Sequence, residues 1–170
     1  LDELLPVSQE LSVSIKVVIA DDQQIVRKGL ASLFENTEID VVAEAATGGE
    51  AVTQTLAHSP SVLLMDVMMP ETDGLDALEQ LREKSPQTKV VMMSAHDNPT
   101  YVARSVALGA EGFVLKDALG EEIVAAVLRA ERGEDPPADS RLSEIRQRLG
   151  TRLDPAADDV PLTKREYQVL

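Results

Sequence analysis

Between Ile15 and Gly133 short, continuous apolar runs alternate with longer stretches in which apolar residues recur at helical spacing. The runs are Ile15–Ala20, Val41–Ala45, Val62–Asp66, Val90–Ser94 and Gly112–Lys116. Runs rich in Val, Leu, Ile and Met without polar alternation are what strands buried on both faces of a parallel sheet require. Between them, Ile25, Leu30, Leu33 and Phe34 mark a first helix. Thr47-Gly-Gly-Glu50 has the spacing of a capping box and opens a second, with Ala51 and Leu56 as apolar positions. Asp73 can cap a third, where Leu75, Leu78 and Leu81 recur. Asn98 or Thr100 starts a fourth, ended by Gly109, and Glu121–Arg132 forms a fifth, stopped by Gly133. Five strands alternating with five helices predict an α/β fold, a doubly wound parallel sheet with right-handed crossovers and helices on both faces.

Beyond residue 133 the character changes. Glu134-Asp135-Pro136-Pro137-Ala138 reads as a linker. Leu142, Ile145 and Leu149 then predict one modest amphipathic helix over about residues 140–149, with Ser140 as N-cap and Gly150 as its stop. Such a helix serves as a strut against the main domain or as a short dimer contact. Linker chemistry returns from Thr151 to Pro161, and Thr163-Lys-Arg-Glu166 is a second capping box. The helix it opens is still running at Leu170, so a severed further domain is expected there. The predicted organisation is an N-terminal extension at 1–14, a main domain at 15–133, a linker with its helix at 134–162, and a domain start at 163–170.

Composition narrows the classes. Of 170 residues, 44% are hydrophobic and 2% aromatic, which is enough apolar material for a packed core. The absence of cysteine excludes a disulfide scaffold, a thiolate zinc site and a Cys nucleophile, and fits a reducing compartment. No apolar run approaches the about 20 residues needed to span a bilayer, and the N-terminus lacks signal-peptide character. A cytoplasmic location is expected. The formal charge of −14 is concentrated in residues 1–133, at −12, against −2 for the remainder. Phosphate backbones are repelled by such a domain, so DNA binding would have to lie elsewhere.

Ligands of a doubly wound sheet bind beyond the C-terminal ends of its strands. Those ends carry Asp21-Asp22, Asp66, Ser94 and Lys116. Each has an ordinary reading on its own: a helix cap, a turn residue, a solvated strand end. Together they put three carboxylates, a hydroxyl and an ammonium on one edge. Clustered carboxylates repel unless a cation sits among them, and an oxygen-only site beside a phosphate suits Mg²⁺ or Mn²⁺. Lys116 would neutralise a transferred phosphoryl group and Ser94 could donate to one of its oxygens. The chemistry suggested is phosphorylation of a carboxylate.

Val18-Ile-Ala-Asp-Asp22, Leu64-Met-Asp-Val-Met-Met-Pro70 with Asp73-Gly74, Met93-Ser-Ala95 and Gly109-Ala-Glu-Gly-Phe-Val-Leu-Lys-Asp117 together resemble a receiver domain of a two-component response regulator. The resemblance covers about residues 15–133. It implies a flavodoxin-like sheet of strand order 2-1-3-4-5. It makes Asp66 the phosphoacceptor, and Asp21, Asp22 and Asp66 metal ligands together with the Met68 backbone carbonyl. Lys116 becomes the phosphate partner, Ser94 the switch hydroxyl and Phe113 the switch aromatic. A sensor histidine kinase is the implied donor, homodimerisation the implied response, and DNA contact is left to a C-terminal domain. Lys116-Asp117 and the preceding Gly-Phe-Val-Leu look like the branch with LuxR-type (NarL/FixJ-like) output, and Pro161–Leu170 is similar to the opening of that helix-turn-helix domain. Gln23-Gln24 stands where that branch commonly has His-Pro, and Asp117 where many receivers have Pro.

Alternatives remain at this stage. A stand-alone receiver would signal by protein contact without DNA output. An aspartate-nucleophile, Mg²⁺-dependent phosphatase of the haloacid-dehalogenase type wants an acid two residues after its nucleophile, where Met68 stands. The expectation is therefore a phosphoacceptor with at most slow self-dephosphorylation, not an enzyme. A dinucleotide site fails for want of glycines after the first strand. His58 and His96 are expected at a helix end and in a surface loop, and the Met68–Met69 and Met92–Met93 pairs in core or loop packing.

Overall fold

In a computed structural model that describes residues 13–152, five strands and six helices alternate, and the segments 1–12 and 153–170 lie outside the described residues. The expected N-terminal extension and the start of a further domain at 163–170 therefore fall almost wholly outside it. The elements are β1 (Ile15–Ala20), α1 (Gln24–Phe34), β2 (Ile39–Ala45), α2 (Gly48–His58), β3 (Val62–Asp66), α3 (Gly74–Lys84), β4 (Lys89–Ser94), α4 (Pro99–Ala107), β5 (Gly112–Leu115), α5 (Gly120–Arg132) and α6 (Arg141–Arg152). The strands form one parallel sheet in the order β2-β1-β3-β4-β5, the order the resemblance implies.

Alternation along the strands splits the core in two. Val18, Ala20, Leu63, Met65, Val90 and Met92 pack with Ala51 and Val52 of α2 and Leu75, Leu78 and Leu81 of α3. Val17, Ile19, Leu64, Val91 and Met93 pack on the other face with Leu30 and Phe34 of α1 and Ile123, Val127 and Ala130 of α5. β1, β3 and β4 are buried on both faces, which is why they read as unbroken apolar runs. β2 and β5 are the edge strands, and β2 carries a bulge where the register shifts between Val17 and Val18 of β1. It begins at Ile39, two residues before the predicted run, because the polar Asp40 interrupts its apolar pattern.

Most helix ends follow the capping chemistry. Thr47 Oγ1 accepts from Glu50 N, Asp73 Oδ1 from Asp76 N, and Asn98 Oδ1 from Thr100 N. The return arm of the Thr47 box reaches one residue back: Glu50 Oε2 accepts from Ala46 N. His58 ends α2 and is exposed, as expected.

Two apolar positions and one stop differ from expectation. Ile25 is 77% exposed, since α1 buries its stripe through Val26, Leu30, Leu33 and Phe34 instead. Leu56 is also exposed; Thr55, one position earlier, takes the buried place. Gly150 does not stop the linker helix, which runs on to Arg152. A helical glycine costs about 1 kcal/mol relative to alanine, a penalty that neighbouring turns absorb. The predicted apolar stripe of that helix is real: Leu142 is buried, and Ile145 and Leu149 are half-buried against the α4 and β5 side of the domain.

Candidate functional site

The site assembles where β1, β3, β4 and β5 end. Asp21, one residue past β1, is fully buried, while Asp22 is exposed beside it. Asp21 N donates to Ala45 O, and Asp21 Oδ1 accepts from Gln23 N at 2.8 Å. Its carbonyl accepts from Arg27 Nη1 at 2.7 Å, and Arg27 also pairs with Glu44. Gln23-Gln24 therefore leaves the turn into α1 anchored, with Gln23 as its extended N-cap.

Asp66 ends β3 and is 5% exposed. Its Oδ1 accepts from Met68 N at 3.2 Å, and its Oδ2 accepts from Lys116 Nζ at 2.8 Å. Lys116 follows β5 directly and is held by its own N–H to the Ser94 carbonyl at 2.8 Å. Its ammonium also lies 2.6 Å from Asp21 Oδ2, so one cation is shared by two buried carboxylates. Carboxylate oxygens of Asp21, Asp22 and Asp66 all come within 4.8 Å of one another.

The loop after Asp66 is held at both ends. Val67 N donates to Met93 O, and Gly74 N donates back to Val67 O at 2.8 Å. Any side chain at 74 would overlap the Asp66 carbonyl oxygen, so only glycine admits α3 this close to the acidic edge. Gly48 N reaches Thr72 O in the same loop at 2.9 Å. Glu71, within the loop, adopts a left-handed φ of 66°.

Electrostatics follow from burial. Desolvation pushes the Asp66 carboxyl above its ordinary value, against the hydrogen bond and charge of Lys116 and with the help of the Asp21 charge. Burial works against the Lys116 ammonium too, but bonding and attraction to Asp21 and Asp66 outweigh it and its pKa is raised. One ammonium against three carboxylates leaves the edge electronegative.

The donor set suits a hard divalent cation. All ligands at hand are oxygens, and buried Asp21 Oδ2 has no aligned hydrogen-bond partner despite its close ion pair. An acidic pocket of this composition fits Mg²⁺. Ser94 is buried at the end of β4, with its hydroxyl turned along its own loop: it donates to His96 O at 2.9 Å and accepts from His96 N at 3.1 Å. Phe113 lies on β5, half-buried, and packs with Tyr101 and Leu108 against the core. The structure thus brings Asp21, Asp22, Asp66 and Lys116 together, and sets Ser94 and Phe113 on the adjoining strands.

Three contributors were not apparent from sequence. Arg27 grips the Asp21 carbonyl from the first turn of α1. Tyr101 of α4 donates from its hydroxyl to Met68 Sδ at 3.4 Å, bridging α4 to the loop after Asp66. Glu111 accepts from both Nη1 and Nη2 of Arg82 and from Val90 N, clamping α3 to the loop before β5. A charged residue before an apolar strand, or one of only four aromatics, is a weak signal that fits many surfaces. Met69, Met92 and Met93 are core, as expected, whereas Met68 is exposed at the mouth of the site.

Comparison with known proteins agrees with this geometry. The family model for the response regulator receiver domain matches residues 17–128. The chain is 36% identical over 162 residues to an uncharacterized transcriptional regulatory protein, YxjL, of Bacillus subtilis, covering 92% of this chain and 73% of that one. It is likewise 36% identical over 157 residues to the probable transcriptional regulatory protein NarL of Mycobacterium tuberculosis, covering 92% and 72%. The solved signal receiver domain of that NarL superposes with a TM-score of 0.69 at 37% identity, covering 71% of this chain and 98% of the domain.

Proposed function

The chain belongs to the response regulator receiver family, whose members here are transcriptional regulators of two-component systems, and on that premise we propose that Asp66 is its phosphoacceptor. The observation that carries the reading is the Lys116 ammonium shared between buried Asp21 and Asp66 at the ends of three strands. A buried lysine–aspartate pair alone could be structural. Two buried aspartates with a third at the rim and a single cation between them form a site short of positive charge.

A phosphohistidine of a sensor kinase is the donor. An oxygen of the Asp66 carboxylate bonds to phosphorus as the nitrogen–phosphorus bond breaks, and the imidazole leaves with that electron pair. Asp21, Asp22, Asp66 and the Met68 carbonyl would hold Mg²⁺, or Mn²⁺, which supplies charge that offsets the phosphoryl oxygens. Lys116 Nζ transfers its hydrogen bond from Asp66 Oδ2 to a phosphoryl oxygen. Ser94 Oγ gives up the His96 carbonyl and donates to another. Phe113, which packs against the core as Tyr101 does, fills the space vacated on the β4–α4 side. The acyl phosphate is the signalling state, with self-hydrolysis slow because no side chain stands as a base two residues beyond Asp66.

The rest of the reading extends the resemblance carried by the sequence motifs. The kinase docks beside Asp66, a homodimer forms on phosphorylation, and DNA is contacted through a LuxR-type domain opening at 163–170, not through the acidic domain. The protein works in the cytoplasm; among the described residues no helix is long and apolar enough to cross a membrane.

Intact-mass measurement after incubation with Mg²⁺ and acetyl phosphate tests the central claim. One phosphoryl group is expected on the protein and none on Asp66→Asn. Undiminished labelling of Asp66→Asn, or no labelling of the protein itself, overturns it.

A further inference from the structure

The face formed by α4 and β5 is already occupied, by α6 of the same chain. Leu142 is 2% exposed on that face, Arg146 Nη2 donates to the Ala110 carbonyl at 2.8 Å, and Arg141 Nη2 donates to Asp97 Oδ2 at 2.8 Å. α6 leans on this face for its order: twelve residues, of which the exposed ones are mostly polar or charged, form only marginal helix alone in water. Its order and its seat are one equilibrium.

That seat touches the acceptor site through a short stretch of backbone. Asp97 lies three residues after Ser94, in the loop whose shape the Ser94 hydroxyl sets by bonding both the N–H and the carbonyl of His96. Asn98 N also donates to the His96 carbonyl, so the turn carrying Asp97 hangs on that group. Beside the Asp97–Arg141 pair an open cleft of about 300 Å³ is lined by Phe113, Val114 and Val102, so Phe113 borders space next to that pair.

We propose that α6 is a cis ligand of the α4–β5 face, and that the Asp97–Arg141 ion pair is the joint through which the acceptor site holds or releases it. This rests on the reading of Asp66 as phosphoacceptor. When Ser94 Oγ donates to a phosphoryl oxygen it relinquishes the His96 carbonyl, the turn relaxes, and Asp97 no longer meets Arg141. The bound position of α6 loses part of its stabilisation and the population moves toward the free helix. The uncovered face then becomes available to whatever α6 excludes.

The chain has no cysteine, so a Glu83→Cys, Gly150→Cys background places two spin labels, on α3 and on α6, with no competing thiol. Both positions are exposed, and a side chain at 150 meets nothing within 4 Å. Electron–electron double resonance is expected to give one narrow distance for the metal-free protein. With Mg²⁺ and beryllium fluoride, a mimic of the phosphoryl group, that peak should fall and longer distances appear. Arg141→Ala should lower the ratio of bound to free α6 about 2–5-fold without any addition, the scale expected of a solvent-exposed ion pair. The charge swap Asp97→Arg with Arg141→Asp should restore it.

Bound beryllium fluoride is read separately by ¹⁹F NMR. If it binds and the distance stays unchanged, the α6 proposal falls and the acceptor reading stands. If Arg141→Ala leaves the metal-free distribution as it was, the ion pair is not the joint and the proposal falls as well. If beryllium fluoride does not bind at all, the acceptor reading fails and the release of α6 fails with it.

Discussion

At the scale of single residues, Asp66 is held ionised at a cost. Its folded pKa lies above the ordinary 3.8, so the folded protein binds that proton more tightly than the unfolded chain does. The metal-free fold therefore loses stability as pH rises from 3.8 through the raised value. Asp66→Asn removes that term, and its thermal midpoint relative to the parent should climb across the same window and then level off. A gap that stays flat with pH would show that burial does not dominate at Asp66. Lys116 has the same sign at the alkaline end, for the opposite reason: here the charged form is the one the fold favours. Its raised pKa gives a contribution fully present below 10.5 and lost as pH rises through the higher folded value, so Lys116→Met should flatten the alkaline limb of the stability curve. Mg²⁺ competes with the same proton. Its affinity, measured by calorimetry, should weaken as pH falls, and the fall should begin above the usual carboxylate range.

Between elements, one clamp and one close approach fix how α3 stands against the sheet. Glu111 takes both Nη atoms of Arg82 and the Val90 N–H, joining α3 to β4 and to the approach of β5. Glu111→Gln keeps the shape but weakens charged hydrogen bonds, and urea titration should show a loss of about 1–3 kcal/mol. Gly74→Ala drives a methyl group onto the Asp66 carbonyl, and overpacking of this kind costs about 1–3 kcal/mol. It should also slow labelling by acetyl phosphate, whereas Glu111→Gln should leave labelling near the parent's, because Glu111 stands away from the acidic edge.

How far the sequence discloses this arrangement also depends on the element. β1, β3 and β4 show plainly because both faces are buried, leaving no polar alternation to confuse them. Asp66 stands out because an acid closing such a run needs a partner. The sharing of Lys116 between Asp21 and Asp66 does not show, nor do Asp97 with Arg141 or Tyr101 with Met68, since each joins residues far apart in the chain by side-chain reach alone. Ile25 and Leu56 mislead because a helix one position out of phase still shows apolar residues at acceptable spacing. Gly150 misleads because a stop signal is a local preference, weaker than the continuation of a helix already docked.

For the molecule as a whole, the acidic edge makes the fold sensitive to its cation. A ligand binding only the folded state at a hundred times its dissociation constant adds about 2.7 kcal/mol. In a chain of this size that corresponds to a rise of roughly 5–10 °C in thermal midpoint on saturation with Mg²⁺. Asp21→Ala should abolish the rise; an equal rise in that variant would place the cation elsewhere.

The bond from Gly74 N to the Val67 carbonyl, with the Asp73 cap just before it and Gly48 N on Thr72, gives the loop after Asp66 a fixed circumference. An inserted or deleted residue between 67 and 74 would break a hydrogen bond at one end or drive α3 into Asp66 at the other. Diversity in this loop can therefore come only by exchanging side chains at constant length. The exposed rim positions, Met68 foremost, are where an engineer could vary the surroundings of Asp66 while leaving the ruler intact.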